Sequence, residues 1–119
     1  MGDHAGGTLA SEQFCYLTTT GRRSGEPREI EIWFALDGQT VYMLAGGGRR
    51  ANWVRNLIRE PRVEVLIGDR MFAGRGRIVT DPGEDAHARR LLLEKYSAGY
   101  SGDLSDWGEG ALPIAVDLR

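Results

Sequence analysis

The chain is poor in the residues that usually carry protein-borne chemistry. Its 119 residues include one cysteine, Cys15, one lysine, Lys95, and two histidines, His4 and His87. A single thiol excludes an internal disulfide and a multi-cysteine metal cage. No apolar run approaches the roughly 18 residues that a membrane-spanning helix needs. The opening MGDHAGGTLA lacks the basic start and apolar stretch of a secretory leader. Neither a Walker loop nor a GxGxxG loop follows a strand, so the ordinary nucleotide-phosphate motifs are missing. The net charge is −2, which argues against bulk nucleic-acid binding. Cys15 lies in an apolar strand and reads as a buried core thiol. His87 reads as exposed on a late helix, and no serine has an evident His/Asp partner. Asp81, Glu84 and Asp85 suit the start of a helix better than a metal site, so no metal is expected. These absences favour a cytoplasmic, soluble protein whose chemistry is carried by a cofactor.

What is present is uneven. Between Arg22 and Arg77 eleven arginines face seven acids, whereas from Asp81 onward eight acids face four bases. A local cationic site for a small anion is therefore compatible with a slightly acidic chain. The length and apolar share suit one domain over residues 11–119, with residues 1–10 as a flexible tail. Strands are expected at Phe14–Thr20, Glu29–Leu36, Gln39–Ala45, Arg62–Ile67, Arg70–Thr80 and Ala111–Leu118. Asp37-Gly38 signals a hairpin. Gly74 and Gly76 read as bulge or bend points. Helices are expected at Arg50–Arg59 and Glu84–Tyr96, with a helical turn near Asp106. This order predicts an antiparallel sheet or small barrel with helices at its edges.

Two segments look able to bind an anion. The first is Thr19-Thr20-Gly21-Arg22-Arg23-Ser24-Gly25 with Pro27-Arg28 after it. Its glycines permit a tight turn, and Arg22, Arg23, Ser24 and Arg28 could converge on one anion. A solvated basic turn is the plain alternative. The second is Gly46-Gly47-Gly48-Arg49-Arg50 followed by Asn52, Trp53 and Asn56. Glycines before a helix leave backbone N–H groups exposed at its positive end. The plain alternative is a flexible connection with Trp53 in the core. Tyr96, Tyr100 and Trp107 could wall a pocket for a planar substrate, or simply pack a helix-loop segment.

Residues 16–68, from YLTTTGRRSGEPREIEIWF through LAGGGRRANWVRNLIREPRVEVLIG, resemble the deazaflavin-dependent nitroreductase family of flavin/deazaflavin oxidoreductases. DLSDWGEGALPIAVDLR extends the likeness more weakly. The resemblance implies a mainly β, α+β fold: an FMN-binding-like split β-barrel of antiparallel strands with two to three flanking helices. It implies coenzyme F-420, a deazaflavin with an anionic phosphate-bearing tail, and hydride transfer to a planar acceptor such as a quinone, an enone or a nitroaromatic. By position, Arg22, Arg23, Ser24 and Arg28 would hold the phosphate, and Gly46, Gly47, Gly48, Arg49 and Arg50 would run beside the deazaflavin. Trp53 and Asn56 would lie near ring or tail, and Tyr96 and Tyr100 would approach the acceptor as hydrogen-bond or proton donors. FMN in the same cradle, and a non-catalytic deazaflavin-binding protein, are the alternatives. Split-barrel relatives often dimerise, so a homodimer is compatible with the sequence. Ala51-Asn52-Trp53 stands where relatives often carry Pro before Trp-Tyr.

Overall fold

The computed structural model describes residues 9–119. Seven strands form one antiparallel sheet: β1 (Cys15–Thr20), β2 (Pro27–Ile32), β3 (Ala35–Asp37), β4 (Thr40–Ala45), β5 (Arg62–Ile67), β6 (Arg70–Ile78) and β7 (Leu112–Leu118). The helices are α1 (Asn52–Arg59), α2 (Pro82–Ser97) and α3 (Ser105–Gly110), with a 3-10 turn at Gly48–Arg50. The expectation for residues 1–8, His4 included, lies outside the described residues. Leu9 and Ala10, expected in the tail, instead belong to a helical turn, and Leu9 packs against the core.

The sheet order is β2-β1-β5-β6-β7-β4-β3. Its two edges, β2 and β3, are consecutive in the chain and are joined only through Trp33 and Phe34. The sheet curls until its edges approach each other, and the barrel is split there. The predicted single strand Glu29–Leu36 is therefore two strands. Phe34 leaves the ladder, and its backbone is satisfied by side chains of α2. The Tyr96 hydroxyl accepts from Phe34 N and lies 2.9 Å from Phe34 O, which also accepts from Lys95 Nζ. A backbone N–H withdrawn from a sheet and buried must find such a partner.

Strand alternation fills the barrel. Cys15 and Leu17, Val41 and Met43, Val63, Val65 and Ile67, and Ile114 and Val116 form one buried cluster, with Val54 and Leu57 of α1 inserted into it. The outer face of β4 and β7 carries Tyr42, Leu44 and Ala115 against Ala88, Leu92 and Tyr96 of α2. Gly74 and Gly76 are not bulges. Both keep regular register in β6, opposite Leu118 and Val116 of β7. Their missing side chains are filled by neighbours: an added Cβ would lie 2.6 Å from Val116 Cγ1 at Gly74 and 2.4 Å from Leu57 Cδ1 at Gly76. Asp37 and Thr40 close the expected hairpin, with Gly38 at φ +61°.

Asp81 caps α2, accepting from Glu84 N at 2.9 Å, and Pro82 opens the helix. The first turn then ties α2 to the sheet through charge. Arg77 donates to both carboxylate oxygens of Glu84 at 2.8 Å and to Asp117 at 2.8 Å, while Tyr42 donates to Glu84 at 2.7 Å. These donors, Arg77 first and Tyr42 second, hold the Glu84 carboxyl down at about 2. A folded-state value below the unfolded one stabilises above pH 4.5 and is lost as pH falls toward 2. Arg77→Met is expected to flatten urea stability between pH 5 and 2 and to cost about 1 kcal/mol at pH 7, because water screens this partly exposed network. Urea midpoints of both proteins at pH 7, 4 and 3 check it; equal acid sensitivity would disprove the assignment.

Candidate cofactor site

The turn between β1 and β2 is held in a closed loop by its own backbone. Gly21 N donates to Glu26 O and Gly25 N to Gly21 O, both at 2.8 Å. Gly25 sits at φ +74°, in the region that favours glycine. Gly21 is required for a different reason. A Cβ there would lie 2.8 Å from Ser24 Oγ and 3.3 Å from Arg28 Nε. That close approach lets Ser24 Oγ accept from Glu26 N at 3.1 Å and from Arg28 at 3.3 Å.

Against this turn stands α1. Asn56 is buried, and its amide oxygen accepts from Arg22 N at 3.1 Å and from Arg22 NH1 at 2.8 Å. Its amide nitrogen donates to the buried Thr19 Oγ1 at 3.4 Å. Asn52, one helical turn earlier, accepts from Arg22 NH2 at 3.2 Å. The space between turn and helix is a cavity of about 370 Å³ lined by Gly21, Arg22, Arg23, Ser24, Arg28, Ile30, Asn52, Trp53 and Asn56.

The structure thus brings together six of the sequence-predicted cofactor residues: Arg22, Arg23, Ser24, Arg28, Trp53 and Asn56. It does not bring Gly46, Gly47, Gly48, Arg49 or Arg50 to this cavity. Gly47 and Gly48 instead lead into the 3-10 turn, whose Gly48 carbonyl accepts from Ala51 N. Trp53 does two jobs at once, packing on the barrel core and walling the cavity. Gly21 and Asn52, which belong to the two anion-binding segments read from the sequence, line the cavity as well, and Ile30 is an added member. Asn52 was legible as the residue four before Asn56, hence on the same helical face. Ile30 was legible from alternation along β2.

A second cavity of similar volume lies beyond the same turn, lined by Thr18, Thr20, Arg62, Glu64 and Arg119 among others. It suits an anion less well. Arg62 is tied to Glu60 by two side-chain hydrogen bonds at 3.1 Å, and Glu64 adds a negative charge.

The predicted catalytic pair separates. Tyr96 is buried, stacked on Trp33 with ring centres 4.2 Å apart, and its hydroxyl is shared among Phe34 N, Phe34 O and Gln13 O. Burial pushes that hydroxyl up to about 12. In this geometry the Tyr96 hydroxyl is fully engaged with the backbone of Phe34 and Gln13. Tyr100 is 47% exposed and meets Trp33 edge-on. Trp107 also packs edge-on against Trp33. None of these aromatics lines the arginine-rich cavity. Lys95, half-buried over the Phe34 ring at 3.7 Å, is pushed down to about 8 by the same burial. Cys15 is buried as expected, and no group of His, Cys, Asp and Glu able to hold a metal occurs among the described residues. No helix there is long and apolar enough to cross a membrane. His87 is less free than its position suggested, bridging Asp37 at 2.6 Å and Arg90 at 2.9 Å.

Known proteins share this architecture. A protein described as a putative 5-nitroimidazole antibiotic resistance protein from Bacteroides thetaiotaomicron aligns with TM-score 0.77 and 14% identity, over 98% of this chain and 79% of its own. An F420-H2 dependent reductase aligns with TM-score 0.69 and 23% identity, over 87% of this chain and 93% of its own. The shared fold is the FMN-binding-like split barrel. By sequence, the chain is 32% identical over 108 residues to an F420H(2)-dependent quinone reductase of Mycobacterium tuberculosis, covering 87% of this chain and 71% of the relative. A putative quinone reductase of the same kind from Mycobacterium bovis matches equally. The profile of the family described as F420H(2)-dependent quinone reductase matches residues 1–119. With the whole chain matched and the arginine-lined cavity in place, this protein belongs to the F420H(2)-dependent quinone reductase family.

Proposed function

We propose that the cavity between the β1–β2 turn and α1 binds coenzyme F-420 by its anionic tail, and that the enzyme reduces a quinone. The observation that carries this reading is the convergence of Arg23, Ser24 and Arg28, beside Trp53, on one cavity. The donor set fits the group. The arginine forks and the serine hydroxyl match phosphate oxygens, and neither Arg23 nor Arg28 has a carboxylate partner among the described residues. Trp53 and Ile30 supply the apolar wall that a planar ring needs.

When bound, the reduced deazaflavin supplies a hydride. The chain's own residues bind and orient. Arg23 and Arg28 neutralise the tail, the closed turn keeps their stems in place, and Trp53 excludes water from one side. The acceptor class in this reading is a quinone, with enones and nitroaromatics as further planar candidates. Of the two tyrosines only Tyr100 is exposed, and we assign it the donor role although it lies outside the lining of the arginine-rich cavity. Its Phe variant is expected to lower kcat.

Fluorescence titration of coenzyme F-420 and of FMN, on wild type and Arg23→Ala, tests the cofactor. Loss of one charge-assisted contact is expected to weaken coenzyme F-420 by about 10- to 100-fold. Quinone turnover by the titrated wild type tests the activity. Preference for FMN, or binding of neither, would overturn the reading. Binding without turnover across quinones, enones and nitroaromatics would leave a deazaflavin carrier and overturn the enzyme.

A further inference from the structure

We infer that Asn56 is a positioning residue of the anion cavity, acting through Arg22, and that the adjacent arginines divide the work. Arg22 is the strut that fixes the turn to α1, while Arg23 and Arg28 present charge to the ligand. This rests on the reading that the cavity holds the cofactor's anionic tail.

The geometry of Arg22 is that of a structural tie. Its backbone N–H and NH1 both donate to Asn56 Oδ1, and NH2 donates to Asn52 Oδ1. Two donors facing one amide fix the amide's orientation, since only its oxygen can accept them. The remaining side of that amide then meets Thr19, at the end of β1. Asn56 therefore joins three elements: the strand, the turn and the helix. It is 5% exposed, so a direct ligand contact would have to come from a small edge of it. Arg23, the next residue, has no side-chain hydrogen bond or ion pair among the described residues. Arg28 has only the Ser24 hydroxyl as a partner. Freeing Arg22 would release the turn that carries both of them. A ligand would then have to order that turn on binding, which weakens affinity without removing any charge that touches the ligand.

Three variants separate the roles: Asn56→Leu, which removes the acceptor; Asn56→Asp, which keeps it; and Arg23→Ala, which removes a charge and leaves the tie. Two measurements are made on each. Amide hydrogen exchange of Arg22, read by NMR on the ligand-free protein, reports the tie directly. Affinity for coenzyme F-420 at 0.05 and 0.5 M salt reports the cavity.

Asn56→Leu is expected to lose Arg22 amide protection and to bind about 30-fold more weakly at both salt concentrations. Asn56→Asp is expected to keep protection and to bind within about 5-fold of wild type at high salt, where its added charge is screened. Arg23→Ala is expected to keep protection and to lose most of the salt dependence it contributes. Amides of β7 serve as the folding control and should stay protected throughout. Wild-type binding by Asn56→Leu, or an Asp variant as weak as the Leu variant at high salt, would overturn the inference. Failure of wild type to bind coenzyme F-420 at all would instead overturn the cofactor reading. Arg22 protection unchanged in Asn56→Leu would overturn the tie whatever the cofactor does.

Discussion

Gly76→Ala will destabilise the protein by about 1–3 kcal/mol and weaken the cofactor site at the same time. The new Cβ would lie 2.4 Å from Leu57 Cδ1, 2.6 Å from Cγ and 2.9 Å from Cδ2. Leu57 is buried, so it cannot swing into solvent to make room. Helix α1 must move instead. The backbone at Gly76 also donates to Pro61 O at 2.8 Å, which ties the strand to the segment just after the helix. Asn56 is the neighbour of Leu57, so a shift of α1 moves the residue that ties down the β1–β2 turn. Packing and function are coupled here through one glycine.

A double-mutant cycle gives this prediction its sharpest form. Leu57→Ala alone should cost about 2–5 kcal/mol through the cavity it leaves. In the Gly76→Ala background the same truncation should cost less, because the methyl occupies part of the vacated space. Urea denaturation of the four proteins measures the coupling. Additive effects would show that the strand and helix do not compete for this volume.

Tyr96→Phe is expected to cost about 1–3 kcal/mol, roughly 5–15 °C in Tm, with turnover per folded molecule unchanged. Removing the hydroxyl deprives the buried Phe34 N–H of its acceptor and withdraws a donor from the carbonyls of Phe34 and Gln13. Lys95 Nζ still reaches Phe34 O, so the carbonyl is partly compensated and the N–H is not. The bend at Trp33-Phe34 closes the split barrel, which is why one hydroxyl should weigh so much. Thermal denaturation and quinone turnover, normalised to folded protein, check the two halves separately. A fall in kcat with Tm unchanged would return Tyr96 to the chemistry and refute the structural role.

Much of the architecture was legible in the sequence because it follows from local rules. Alternation in RVEVLI places Val63, Val65 and Ile67 on one face, and that face is the barrel interior. Asp37-Gly38 marks a hairpin, since few residues adopt positive φ as readily as glycine. Asp81-Pro82 opens a helix because the side chain caps it and the missing N–H is no loss there. The cationic turn was legible too, as a cluster of arginine forks between glycines. That composition already pointed to an anionic ligand.

Tertiary structure decided which of these residues meet. Glu29–Leu36 begins with the alternation of a strand, but it breaks where Tyr96, more than sixty residues away, satisfies the backbone of Phe34. The same hydrogen bonds commit the Tyr96 hydroxyl to the backbone, because a side chain's availability depends on its whole environment. Gly76 looked like a bend until α1 packed over it, since a missing side chain is equally suited to a kink or to a close neighbour. Arg22 and Arg23 are identical in composition and adjacent in the chain. Both line the cavity, and only the approach of Asn52 and Asn56 from α1 distinguishes the arginine tied to the helix from the one without a side-chain partner among the described residues. By itself the sequence determined the period, the turns and the charge of the site. The long-range pairing that divides labour among its residues depends on contacts between distant segments, and those exist only once the chain has folded.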